Sequence, residues 1–546
     1  MPSIINQAGF PRTARPAIYA RIDASALSGG ALDSGALAIL GDFPSFPSAE
    51  PVSFSSRRAM AAHDSTDRDL AQLAALAFSP SDDANANRGA ALVGIINARE
   101  DATAASLTQG PLTLTSRIYG PRGNRLQSTL TISGDTHTLS LNRNGLTESI
   151  SIENDALLII TNNSGGSIDY ELAEGTFSLL DANAATLLSV DSSEAPTLRA
   201  LAGLIDQLDG ISAELADPTN APLNELDYMS ATISNSSSSE LKAPAFRLKR
   251  ELSSSALVSA SLNNTSAAAT FSAGTVTATG GAQGSTLDYE AALASIEAQS
   301  FQLVVLFSLN AADQSKLGAH LDAAARAGYE RQAYTAIDST SALSAAKSRA
   351  VSLNAPDIAL TAQSIEVFNP AGERVTLDAR YTALMFAAMQ AGSDTAEPLT
   401  RKRPRVISFS QAWDSHADAE AALRSGLIFM SRDNIGARIE RGLTTWLEDN
   451  NPIYSEISAY ESLLVSVRDI RQALSDQIGR PTRASQMTLI ESRVNARLAA
   501  QVLDGTLKGF ANVTLEDLGD QIAVSYDAAP VEPLNFITLT AVARRL

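Results

Sequence analysis

The chain of 546 residues contains no cysteine, only four histidines and few aromatic residues. The missing cysteine excludes disulfides, thiolate metal sites and thiol nucleophiles. His63, His137, His320 and His416 do not fall at zinc-ligand spacing, and no H-E-x-x-H occurs. No Walker A sequence is present: Lys508-Gly lacks the upstream glycines and the following Ser or Thr. Gly280-Gly-Ala-Gln-Gly is not led into by a buried strand, so it is no dinucleotide fingerprint, and there is no G-x-S-x-G elbow. Asp82-Asp83 reads as a solvated loop, and the Asp and Asn groups lack EF-hand spacing. These absences argue against an enzyme and imply neither cofactor nor metal. The start, Met-Pro-Ser-Ile-Ile, has no secretory pattern, and the apolar runs fall short of the ~20 residues that span a bilayer. A soluble protein made in a cytoplasm, without membrane insertion, is expected.

The length implies two to four domains. Net charge is −19, unevenly placed. Residues 1–399 hold 24 Lys+Arg against 42 Asp+Glu, and residues 400–546 hold 17 against 18. A nucleic-acid binder would show the opposite sign, so no direct nucleic-acid contact is expected. An acidic body with a neutral, Arg-rich end suits a solvated exterior joined to an assembly surface.

Ala17–Asp23 alternates, with Ile18, Ala20 and Ile22 on one face, between a Pro-rich lead and Ser25–Gly30. Strands at Gly35–Gly41 and Ala91–Ala98 and a helix over Thr66–Phe78 give an α/β texture for 31–127. From 128 to 285 Ser, Thr, Asn and Gly dominate and short alternating strands recur, which reads as an exposed β domain. Residues 286–376 return to α/β, with helices Tyr289–Gln299 and Ala311–Gly328 around strand Phe301–Phe307. Residues 377–527 form a C-terminal block: a helix over Leu377–Ala391, a strand at Arg405–Phe409, a longest helix over Ile453–Ile478 and an amphipathic helix over Ser485–Leu503. Prolines 530 and 533 stiffen a connector into a final strand, Leu534–Val542. The fold class expected is α/β (α+β) and multidomain, with arms at 1–30 and 528–546. A lone alternating segment at each end must pair with something, in its own subunit or in a neighbour.

Four stretches resemble the contractile tail sheath proteins of bacteriophages, with relatives in pyocins and type VI secretion. Pro16-Ala-Ile-Tyr-Ala-Arg-Ile-Asp is similar to the family's opening Pro-Gly-Val-Tyr-like segment, with Ala17 in place of Gly. Thr115-Ser-Arg-Ile-Tyr-Gly-Pro-Arg-Gly-Asn-Arg-Leu resembles its strand running into a Gly-x-x-Gly-Asn turn. Arg401–Trp446, ending Gly-Leu-Thr-Thr-Trp, resembles the core before the long helix, and Pro530-Val-Glu-Pro-Leu-Asn-Phe-Ile-Thr-Leu-Thr the Pro-x-x-Pro terminal strand. Residues 130–360 carry no such likeness.

The resemblance implies an inner C-terminal α/β sheath domain facing a tube and completed by inter-subunit β-strand addition, with outward β-rich and α/β insertion domains. It implies strand contacts through Ile18, Tyr19, Ile22, Phe536, Ile537, Leu539 and Val542. It also implies a homo-oligomeric helical stack of hexameric rings, with tail tube, baseplate and tail terminator proteins as partners, in a virion tail assembled in the host cytoplasm. Arg468, Arg471, Arg493 and Arg497 are candidates for tube- or neighbour-facing contacts, or else ordinary solvated helix charges. The alternatives are a surface adhesin whose Ser/Thr-rich β region binds glycan and a hydrolase with an unrecognised site.

Overall fold

The computed structural model describes residues 33–537, apart from 264–269 and positions 85, 87, 219, 412, 414, 450, 482 and 520. The expected strand with Ile18, Tyr19 and Ile22 lies outside the described residues, as do Leu539 and Val542. The chain divides into two compact units: residues before 101 together with those after 285, and Asp101–Ser285.

The first unit is built on a six-stranded sheet of β1 (Asp33–Gly41), β2 (Val52–Phe54), β3 (Leu92–Asn97), β4 (Phe301–Leu306), β5 (Gln332–Ala336) and β6 (Ile358–Thr361), in the order β2-β3-β1-β4-β5-β6. All pairs are parallel except β2 with β3. Parallel strands covered on both faces read as continuous apolar runs, as Leu-Ala-Ile-Leu and Leu-Val-Val-Leu do here.

The two faces separate by period. Leu37, Ile39, Val93, Ile95, Leu303 and Val305 pack toward α1 (Arg68–Phe78) and α4 (Ala379–Ala391). Ala36, Ala38, Leu40, Val304 and Leu306 pack toward α2 (Tyr289–Ser295) and α3 (Ala311–Ala327). Helix α4 is rich in Ala and Met and buried over most of its length, Thr382–Gln390. Asn310 caps the start of α3 and Gly328, at φ 96°, its end. The sheet and its helices carry the C-terminal block, in which α5 (Ile457–Leu474) and α6 (Ala484–Leu503) lead to a ribbon of β7 (Leu507–Asp517) and β8 (Ile522–Pro530).

Several expectations are corrected. The helix expected over 453–478 is broken at Glu456, whose backbone is extended and bridges to Leu443, so α6 is longer than α5. Strand character at 405–409 is confined to Ser408–Phe409. Ala528–Pro530 belong to β8 rather than to a connector, and residues 534–537 are not in a strand.

The second unit is antiparallel β. The boundary expected at 128 falls inside strand Leu126–Ser133, which pairs with Thr136–Arg143; the unit begins at Asp101. One core gathers Leu114, Leu130, Leu139 and Leu141 against helix Pro244–Leu252, and another gathers Ile160, Tyr170, Phe177 and Leu179 against helix Leu198–Ile205. The first unit closes the insertion's neck: the Glu100 N–H donates to Thr286 O at 3.0 Å, and Arg99 bridges Leu287 in antiparallel fashion.

A glycine pair tests the packing. A Cβ on Gly392, at the end of α4, would lie 2.3 Å from the Gly89 backbone nitrogen, whereas one on Gly318, inside α3, would meet Ile358 at 3.9 Å. Gly392→Ala should therefore cost about 1–3 kcal/mol. Gly318→Ala should stabilise by about 0.5–1 kcal/mol. Denaturant titration of both variants checks the opposite signs.

Candidate functional site

The C-terminal block is fixed to the sheet by buried polar groups on α5. Arg468 donates to Glu330 O at 2.8 Å, and Arg471 pairs with the Glu330 carboxylate at 2.6 Å. Glu330 lies between the cap of α3 and the start of β5, and its side chain is buried, as is that of Arg471. The adjacent Arg331 donates to Ile296 O, Glu297 O and Gln299 O. Burial lowers the pKa values of Arg331 and Arg471 to about 10. Higher on α5, Glu461 accepts from Gln302 Nε2 at 2.6 Å, and Gln332 Nε2 donates to Ile457 O. Gln390 at the end of α4 donates to Gln332 and accepts from Tyr334. The first residues of β4 and β5 thus meet α5 through buried side-chain hydrogen bonds.

Arg468 and Arg471 are corrected accordingly: they are buried inside the subunit and do not face a tube or a neighbour. Arg493 and Arg497, on α6, are partly exposed; Arg493 pairs with Asp476 and Arg497 with Asp469. The four arginines do not form one surface.

The β7–β8 ribbon rests on α5 and α6. Phe510, Val513, Leu515, Val524 and Tyr526 pack toward Ile470, Leu474, Val494 and Leu498. The Tyr526 hydroxyl stands 3.4 Å from Ser466 Oγ on α5, and burial pushes its pKa up to about 12. Tyr454, Tyr460 and Trp446 form a cluster beside Tyr526. Among the described residues neither ribbon strand has a second neighbour, so each presents an open row of backbone donors and acceptors. After β8, Phe536 is 77% and Ile537 82% exposed.

In the second unit a cavity of about 410 Å³ opens on the sheet face formed by strands Ile168–Ala173, Thr176–Asp181 and Met229–Ile233. Tyr228 and Thr232 donate to Glu171 and Asp169 there. Among the described residues no His/Asp/Glu group has the makings of a metal site, and no helix is long and apolar enough to cross a membrane.

Residues 282–445 match the family model of the phage tail sheath protein central domain. The tail sheath protein of Bacillus phage SP01 is 28% identical over 166 residues, 30% of this chain and 29% of that protein. That of Staphylococcus phage Twort is 24% identical over 200 residues, 35% and 34% of the two chains. The match therefore spans about a third of the length of these curated relatives. In structure, the sheath tail protein of Listeria innocua superposes with a TM-score of 0.55 at 13% identity, covering 93% of this chain and 94% of that one. The sheath tail protein of Desulfitobacterium hafniense does so with 0.53 at 14%, covering 92% and 94%. The sequence resemblance to tail sheath proteins is thus borne out at Arg401–Trp446, which lies almost wholly inside the matched domain, whereas the expectation of no likeness over 130–360 is corrected for residues 282–360; the likeness of fold extends over nearly the whole chain.

Two predictions test the α5 clamp. Arg471→Met leaves the buried Glu330 carboxylate without its ion pair and should cost about 3–5 kcal/mol, whereas Arg497→Ala at the surface should cost under ~1 kcal/mol; urea titration separates them. Burial raises the Glu461 carboxyl from 4.5 to about 7. Below pH 4.5 it is protonated whether the chain is folded or not. Between pH 4.5 and about 7 the unfolded chain ionises first, so rising pH removes stability, and above that window the loss is constant. The stability gain of Glu461→Gln over the parent should grow with pH across this window and then level off, as urea midpoints at a series of pH values would show.

Proposed function

We propose that this chain, which carries a tail sheath central domain, is a structural subunit of a contractile tail sheath. Copies would polymerise helically around a tail tube, as a stack of hexameric rings bounded by baseplate and terminator proteins, and contract to drive the tube through a host envelope for genome ejection. The observation that carries this reading is the β7–β8 ribbon, held on two helices with neither strand paired to a further strand among the described residues. A two-stranded ribbon is marginal alone and gains by taking on further strands. Strand addition supplies backbone hydrogen bonds, and pockets for alternate side chains set register.

The donor strands would be the arms: Ile18, Tyr19 and Ile22 from one end, and Phe536, Ile537, Leu539 and Val542 from the other. The exposure of Phe536 and Ile537 beyond the last paired residue supports the second. A link of this kind survives rigid-body rotation of subunits, because the connector bends while the sheet keeps its pairing. Contraction is then a switch between two packings, driven by new burial and charge pairing between subunits, with no nucleotide needed. Arg493 and Arg497, at the surface of α6, would exchange their internal partners for acidic groups of a tube or a neighbour.

A second reading, a surface adhesin, is favoured by the cavity of the second unit, where Tyr228 and the Asp169 and Glu171 carboxylates could hold a saccharide's ring face and hydroxyl groups. It expects glycan binding by the purified chain and no polymer.

Negative-stain microscopy of the purified protein should show striated hollow cylinders; single particles that bind glycan would favour the second reading. Deleting residues 1–23 or 533–546 should leave a folded monomer that forms no long polymer. Normal sheaths from either truncation would refute the strand exchange.

A further inference from the structure

Resting on that strand-exchange reading, we propose that Glu456 is the anchor of the C-terminal arm, a positioning residue that fixes where the arm leaves its own subunit. Glu456 occupies the break between the short helix Pro452–Ser455 and α5. Its side chain is 1% exposed and pairs with Arg441 Nε at 2.5 Å. The same carboxylate oxygen accepts from Asn535 Nδ2 at 2.8 Å. The Arg441 guanidinium also lies 5.7 Å from the centre of the Phe536 ring, although that ring is mostly exposed. The segment after β8 is therefore tied at Asn535 and Phe536 by a buried acid and its cation.

The anchor is itself held by backbone hydrogen bonds. The Glu456 N–H donates to Pro452 O, the Ile457 N–H donates to Gly442 O, and Leu443 bridges Glu456. The ribbon contacts α5 at Ser466, ten residues along the helix, or roughly 15 Å. The point from which an arm is launched and the ribbon that receives a neighbour's arm are thus mounted on one rod. Their separation is set by helix geometry and not by a slack linker.

Without the tie, the tether from Pro530 to Val542 is twelve residues, 531–542; with it, seven remain, 536–542. The longer tether lowers the effective concentration of the strand at a neighbour's ribbon roughly twofold. It also frees the direction of exit, since an untied terminal segment frays.

The absence of cysteine makes the test direct, because Ile537→Cys gives a single spin-label site in the full chain. Asn535→Asp sets a second carboxylate against Glu456, and Asn535→Ala simply removes the donor. The label should be immobilised in the parent and mobile in both variants, with the melting temperature unchanged. Read on the unlabelled chain with Ile537 in place, the concentration needed for sheath assembly should rise at least about twofold. A label equally mobile in parent and variants would overturn the anchor, as would unchanged assembly. If the unlabelled parent forms no sheath while the label in the Ile537→Cys chain is immobile and is freed by Asn535→Asp, the anchor stands and the strand-exchange reading falls.

Discussion

The pairing of Arg468 and Arg471 with Glu330 is the contact on which the C-terminal block depends. Charges taken out of water cost several kcal/mol each, and the pair recovers that only where geometry and further hydrogen bonds are good. What such a pair supplies best is a single way of docking. The starts of β4 and β5, where Gln302, Glu330 and Gln332 emerge, hold α5 through hydrogen bonds, and Gln390 at the end of α4 closes the same network. Since α6 and the ribbon are packed on α5, that attachment fixes the open strand edges relative to the central sheet. A load applied to the ribbon would pass through its apolar contact with α5 and α6 and then along α5 into the sheet's polar seam.

Much of the sheet was legible from residues alone. Gly35–Gly41 and Phe301–Phe307 are apolar without alternation, which is what strands buried on both faces require. The run 377–391 was read as a helix, and α4 is one from Ala379 to Ala391. Arg468 and Arg471 misled because three-residue spacing on an amphipathic helix reads as a charged stripe. Their partner lies 138 and 141 residues earlier, and a pairing at that separation leaves no local trace.

Strand β7 was missed for a different reason. Its alternation is interrupted at a bulge between Ala511 and Thr514, where Asn512 takes φ 51°, so Phe510 and Val513 share the buried face out of step. The boundary at 101 was hidden because the strands at 104–119 alternate like any half-buried strand and look continuous with what precedes them. The matched central domain, residues 282–445, contains β4, β5, β6 and α4 but stops before α5. Geometry, and not that match, therefore carries the reading of the ribbon.

The neck at Glu100 and Thr286 has a consequence for how such a chain can change over time. Entry and exit of the 185-residue excursion from 101 to 285 are clasped to each other by the first unit's own backbone. A replacement of any size needs only to begin and end at the same two adjacent points, so the excursion can be exchanged, enlarged or trimmed to a turn while the sheet beneath keeps its register. Diversity in the excursion would then accumulate without disturbing the sheet.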